Sequence, residues 1–333
     1  MTRLVQIRNG AERRVALVEG ERLRFLAEAT SVYELAHAAL SAGMTLTALA
    51  AERATGEGVD YDAVYRGEST WQLLPPIDHP AEPTRCLVSG TGLTHLGSAQ
   101  NRQAMHTADH EELTDSMRMF RSGLAGGRPE PGRIGVAPEW FYKGAGTILR
   151  AHGEPLLVPS YAEDGGEEAE VAGVYLVDTE GRPRRLGMAS GNEFSDHRFE
   201  RKNYLNLAGS KLRTCALGPE LVVDPTFDSV PGRVAIERAG RVLWSKEIRT
   251  GEAEMCHSLR NIEHHHFKFE VHRRPGDLHV HFFGAYGLSF GDGIELADGD
   301  VMEVRFEGFG RPLRNPVGVE RAADSLVTVQ PLA

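Results

Sequence analysis

Glu168-Ala169-Glu170-Val171-Ala172-Gly173-Val174-Tyr175-Leu176-Val177 reads as a single strand. Side chains two apart share a face, so Glu168 and Glu170 point the same way. Beyond them, Ala172, Val174 and Leu176 make one face apolar, and Val171, Tyr175 and Val177 do the same for the other. That pattern predicts a central strand covered on both sides. Two carboxylates at its mouth either sit solvated at a fraying end or lose hydration and repel. In the second case they must be protonated, paired with cations, or shared by a metal.

Working outward, a turn at 178–183 and a returning segment lead to Gly191-Asn192-Glu193-Phe194-Ser195-Asp196-His197-Arg198. A hairpin there would bring Glu193 back beside Glu168 and Glu170. Three hard oxygen ligands suit Mg²⁺, Mn²⁺ or Ca²⁺ and leave coordination sites for a chelating substrate. Lys211, in Ala208-Gly209-Ser210-Lys211-Leu212, stands alone between Lys202 and Lys246, and its plain reading is an exposed loop cation. Lys143 follows the aromatic run Trp140-Phe141-Tyr142, where partial burial would lower its pKa, and Glu139 precedes that run.

The 333 residues, 41% apolar and 25% charged, suit a soluble globular protein of one large or two ordinary domains. A net charge of −10 argues against a nucleic-acid partner held through phosphates, and no apolar run is long enough for a bilayer. The three cysteines, Cys86, Cys215 and Cys256, form no Cys-x-x-Cys, and the N-terminus lacks a signal-peptide core; a cytoplasmic location is expected.

Residues 1–80 are expected to form a small N-terminal α+β domain. Strands flank a turn at Asn9-Gly10, and a helix is opened by the capping box Ser31-Val32-Tyr33-Glu34. A proline-rich linker at 74–83 precedes the larger part, 81–333. There, Cys86-Leu87-Val88-Ser89 predicts a strand, with helices near 98–106 and 111–122. The hairpin of 226–246 turns at Ala239-Gly240, and 278–283 and 300–306 read as late core strands. Gly90-Thr91-Gly92 lacks dinucleotide-site spacing, so no nucleotide cofactor is expected.

The order of these motifs resembles the fumarylacetoacetate hydrolase superfamily over residues 85–320. The matching stretches are Ser89 to His95, Phe141-Tyr142-Lys143, Glu168-Ala169-Glu170, Asn192 to His197 and Ser210-Lys211-Leu212, then Gly251-Glu252-Ala253-Glu254-Met255 and Phe283-Gly284-Ala285. Within it, Pro138-Glu139-Trp140-Phe141-Tyr142-Lys143 is most similar to the bacterial 2-keto-3-deoxy-L-arabonate dehydratase group. The resemblance implies an α+β, β-rich fold: a mixed β-sandwich roll with a small N-terminal α+β domain. It implies Mg²⁺ on Glu168, Glu170 and Glu193, Lys211 at the substrate, and Glu139 in proton transfer. It implies a homodimer built on the large β-rich domain.

The implied reaction is dehydration of a 2-keto-3-deoxy sugar acid. The metal stabilises an enolate, and either Glu139 or Lys211 acts as base while the C4 hydroxyl leaves. The alternatives are hydrolytic C–C cleavage of a 2,4-diketo acid at the same metal, and a non-catalytic sugar-acid binding protein. Three departures bear on the choice. Glu193 replaces the usual Asp, Ala285 replaces a Thr, and Ser98 stands where a Glu would pair with His95 in hydrolase members. Loss of the dyad disfavours hydrolysis. His264-His265-His266 reads as a solvated turn of helix, and His279 with His281 as core or pocket-lining. Asp109-His110-Glu111-Glu112 reads as the acidic start of a helix or as a lid.

Overall fold

The computed structural model describes residues 1–106 and 114–332. Strand Ala169–Val177 is buried along its whole length. Its two faces enter different cores: Ala172, Val174 and Leu176 join one apolar cluster, and Val171 and Tyr175 join the other. The doubly apolar pattern thus has the consequence expected of it. Ala169–Val177 lies between Pro183–Asn192 and Leu278–Phe282, both antiparallel to it. Cys86–Gly90 continues the sheet in parallel beside Leu278–Phe282, and Phe141–Ala145 closes that side.

This large sheet has 13 strands, and a second sheet has five. The second is built from Arg241–Thr250, Val230–Arg238, Val301–Phe306, Leu313–Val319 and Leu156–Val158. It packs Val234, Ile236, Met302, Val304 and Phe306 against Val171, Tyr175 and Met188 of the first, which makes the β-rich, mixed α and β sandwich the sequence implied. The hairpin turn falls at Ala239 (φ 49°) and Gly240 (φ 75°), the pair of positive φ values that matches strand twist in a two-residue turn.

The N-terminal strand Arg3–Asn9 pairs with Glu12–Glu19 and also, through Leu4 and Leu221, with the short strand Leu221–Val222. Residues 3–60 therefore extend the large sheet. A buried carboxylate, Glu220, pins this junction. It accepts from the Tyr61 hydroxyl at 2.9 Å and the Arg311 backbone N–H at 3.0 Å, and pairs with Arg3 at 3.0 Å.

Two local expectations need correction. The helix Val32–Ala42 is capped by the Ser31 hydroxyl, which accepts from Glu34 N at 3.1 Å, but the Glu34 carboxylate takes the Thr30 hydroxyl rather than a free amide. Only half of the capping box forms, because the Thr30 hydroxyl competes for the carboxylate. The second helix of the larger part runs Asp115–Gly126, with Thr114 as its cap, later than the 111–122 expected. Asp109-His110-Glu111-Glu112 lies outside the described residues.

Candidate active site

The hairpin returns Glu193 to the mouth of the central strand. Glu170 pairs across it with Gly191, and Glu193 N donates to Glu168 O at 2.9 Å. The carboxylate oxygens of Glu168, Glu170 and Glu193 all come within 4.8 Å of one another, and all three residues are buried. The turn beyond Glu193 is made by Phe194 in the left-handed region (φ 44°), a costly conformation for a residue with a Cβ. It aims the Phe194 carbonyl at Lys143. Glu170 is fixed by the backbone N–H of Gly284 at 2.7 Å. Burial, then the charges of Glu193 and Glu168, push its pKa well above the ordinary carboxylate value.

Both lysines are buried. Lys143 donates to Phe194 O at 2.6 Å and Lys211 O at 3.0 Å, and pairs with Glu193 at 2.6 Å. Burial lowers its pKa, with Glu193 opposing. Lys211 is no loop cation: its ammonium sits between Glu168 and Glu193 and reaches the Ser195 hydroxyl at 2.9 Å. Three acceptors use the three N–H bonds of an ammonium. Burial alone would lower the Lys211 pKa, but Glu168 and Glu193 outweigh it and raise it. Glu168 in turn is held well below the carboxylate range; burial opposes this, and Lys211 and His197 override it. His197 Nε2 lies 3.2 Å from Glu168.

Glu139 is buried beside this group. Its Oε1 pairs with Arg102 Nη1 at 2.8 Å and accepts from the Tyr204 hydroxyl at 2.8 Å, while Oε2 has no hydrogen-bond partner among the described residues. Arg102 Nε pairs with Glu200 at 2.7 Å. The Gly90-Thr91-Gly92 turn now has a physical account. A Cβ on Gly92 would lie 1.8 Å from Glu139 Oε2, and one on Gly90 would lie 2.4 Å from the Phe141 ring. The glycines let Glu139 and the strand Phe141–Ala145 that follows it approach.

His95 is buried, and its Nδ1 lies 2.8 Å from the Thr94 hydroxyl, which itself donates to Phe283 O at 2.7 Å. Nδ1 therefore carries the proton and Nε2 the lone pair. Burial lowers the His95 pKa to about 3. Ser98 donates to the His95 backbone carbonyl, not to the ring, so the residue at the dyad position makes no dyad.

The other histidines correct one expectation. His265 and His266 are buried on helix Leu259–Phe267, so this is no solvated turn. His266 accepts from Trp140 Nε1 at 3.2 Å and meets His279 Nδ1 at 2.9 Å, because the helix packs on the sheet at that face. His279 and His281 are core, as expected; His281 bridges the Ser89 and Thr91 hydroxyls at 2.8 Å each.

Sequence reasoning missed Arg102, His197, Glu200 and Tyr204. His197 and Glu200 share one face of helix His197–Lys202 at i, i+3, which is a usable signal. Arg102 carries none. Glu167 was also passed over: it points away from its neighbours and binds Ser289 N at 2.7 Å and the Ser289 hydroxyl at 2.6 Å.

Five buried carboxylates, Glu139, Glu168, Glu170, Glu193 and Glu200, thus face three cations, Lys143, Lys211 and Arg102. With all five ionised two negative charges are left over, and that surplus with the all-oxygen donor set fits one hard divalent cation on Glu168, Glu170 and Glu193. The cavity over them, lined in part by Gly92, Ser98, Arg102, Glu200 and Ala285, is about 20 Å³. A cleft of about 880 Å³ lies elsewhere, near Tyr65, His152 and Arg314. Those groups are already bonded to Pro312 O, Tyr65 O and Glu237, so size does not mark the site.

No protein-family model and no curated protein matches the chain. Solved structures do. A 2-keto-3-deoxy-D-arabinonate dehydratase in apo form superposes with a TM-score of 0.71 at 20% identity over 96% of this chain and 100% of that one. The same enzyme complexed with magnesium and 2,5-dioxopentanoate gives 0.70 at 19% over the same shares. A 2-hydroxyhepta-2,4-diene-1,7-dioate isomerase from Mycobacterium marinum gives 0.61 at 18% over 97% and 100%. The chain has the fold of these enzymes.

Proposed function

We propose that this chain is a fumarylacetoacetate hydrolase-superfamily dehydratase of 2-keto-3-deoxy sugar acids. It would convert 2-keto-3-deoxy-L-arabonate to 2,5-dioxopentanoate with Mg²⁺, or with Mn²⁺ or Ca²⁺ in its place. The observation that carries this is Glu139: a buried carboxylate with one oxygen anchored and one free, next to a metal-fitting acid triad. That a structure of this fold is of a dehydratase complexed with magnesium and 2,5-dioxopentanoate supports the reading.

Glu168, Glu170 and Glu193 would hold the divalent cation, which would supply Lewis-acid chemistry that acidifies the C3 protons of a 2-oxo acid. Glu139 then takes a C3 proton at Oε2 while Arg102 and Tyr204 hold Oε1 still. The electron pair left at C3 forms the C3–C4 double bond as the C4–O bond breaks. The departing hydroxyl leaves as water with the proton that Glu139 took from C3, which returns the carboxylate to its starting state. Proton shifts from C5 and its hydroxyl then give the C5 aldehyde. Lys211 is not the base in this scheme, because its three N–H bonds are already donated; it holds Glu168 and Glu193 apart. C–C hydrolysis has less support, since His95 has no acidic partner among the described residues.

The test is ¹H NMR of the protein with Mg²⁺ and 2-keto-3-deoxy-L-arabonate, with and without EDTA. The aldehyde of 2,5-dioxopentanoate or its hydrate should appear only with metal. Pyruvate release from a diketo acid, with no dehydration, would sink the proposal.

A further inference from the structure

The mechanism leaves one buried carboxylate unused. Glu200 is 1% exposed and lines the cavity over the acid triad. Arg102 Nε fixes its Oε1 at 2.7 Å, while Oε2 has no hydrogen-bond partner among the described residues. A carboxylate oxygen kept from water and given no donor is costly, and a ligand donor repays that cost. Arg102 carries Glu139 on its Nη1 and Glu200 on its Nε, so the two carboxylates share one guanidinium. Glu200 and Arg102 line the cavity.

We infer that Glu200 Oε2 accepts a hydrogen bond from the terminal hydroxyl of the substrate and so selects hydroxylated 2-oxo acids over those with an apolar tail. This rests on the dehydratase reading above. An acid whose far end carries only methyl or carbonyl groups would leave Glu200 unpaired, and a carbonyl there would face a negative charge.

The experiment compares two substrates that both carry a C4 hydroxyl: 2-keto-3-deoxy-L-arabonate, and 4-hydroxy-2-oxopentanoate, which lacks the C5 hydroxyl. With Mg²⁺, wild type should favour the first in kcat/KM by roughly ten- to a hundredfold, the range for a hydrogen bond to a charged group. In Glu200→Gln, whose amide N–H₂ would face the hydroxyl while its oxygen keeps Arg102, that ratio should fall toward one, mainly through a raised KM. Glu200→Asp, which withdraws the carboxylate by one methylene, should lower the ratio too and serves if the Gln variant does not fold. A wild-type ratio near one, or a variant that slows on both substrates alike and keeps the ratio, overturns the inference. Dehydration of neither substrate by wild type with Mg²⁺ overturns the dehydratase reading and this inference with it.

Discussion

At the scale of single residues, the candidate-site groups divide by what holds them. Glu168, Glu170, Glu193 and Lys143 are legible from the residues themselves, as acids on and returning to an apolar strand and a lysine after aromatics. Lys211 and Glu139 are marked only by the family resemblance, Lys211 reading by itself as a loop cation. Arg102 and Tyr204 are marked by neither, because their meaning comes from meeting Glu139 across 37 and 65 residues of chain. Glu139→Gln keeps the shape and the bonds at Oε1 but removes the proton acceptor. It should cut kcat by about 10²–10⁴-fold while Mg²⁺ binding, read by calorimetry, stays near wild type. Gly92→Ala should do much the same without touching an ionisable group, since its Cβ would fall 1.8 Å from Glu139 Oε2 and push the carboxylate aside. A Gly92→Ala protein with full activity would show that the position of Glu139 does not matter.

At the scale of elements, the central strand is readable to within one residue because both of its faces are apolar, whereas helix Leu259–Phe267 is not. Its run of three histidines looks solvated by composition, yet tertiary packing buries His266 against His279 and His281 of strand Leu278–Phe282 and His265 against Gly135. That burial has a thermodynamic consequence. Burial, then the neighbouring histidines His279 and His272, lowers the His281 pKa to about 3, well below the unfolded value near 6.5. Below pH 6.5 the unfolded chain binds a proton that the folded chain refuses. Stability present above pH 6.5 is therefore lost as pH falls toward 3, by up to about 1.4 kcal/mol per pH unit. Glu170, with its raised pKa, acts in the opposite sense, so the effect must be read as a difference. His281→Gln, which can still bridge Ser89 and Thr91, removes the imidazole's acid penalty. The stability gap between wild type and variant should narrow by about that amount for each unit between pH 6.5 and 5, measured by urea denaturation. A constant gap would mean the imidazole is not held neutral.

At the scale of the whole molecule, one sheet connects the N-terminal strands to the hairpin of the candidate site. The sequence showed the composition break at the prolines of 74–83, but it could not show strand pairing between Leu4 and Leu221, because register across 217 residues leaves no local trace. Glu220 sits at that join with Tyr61, Arg3 and the Arg311 backbone around it, and the Arg311 guanidinium lies 3.6 Å from the centre of the Tyr61 ring. Removing the carboxylate strips acceptors from a buried hydroxyl and a backbone N–H at once and leaves a half-buried guanidinium short of its partner. Leaving a buried hydroxyl and a backbone N–H without acceptors costs about 1–3 kcal/mol each. Glu220→Ala should therefore lower stability by that order in urea denaturation. Because the pairing runs through the sheet, the loss should appear as one transition moved to a lower midpoint, followed alike by tryptophan fluorescence, where Trp71 reports the N-terminal part and Trp140 and Trp244 the larger part, and by far-UV circular dichroism. Two separated transitions, with the N-terminal part melting first, would show that the shared sheet does not couple the two parts energetically.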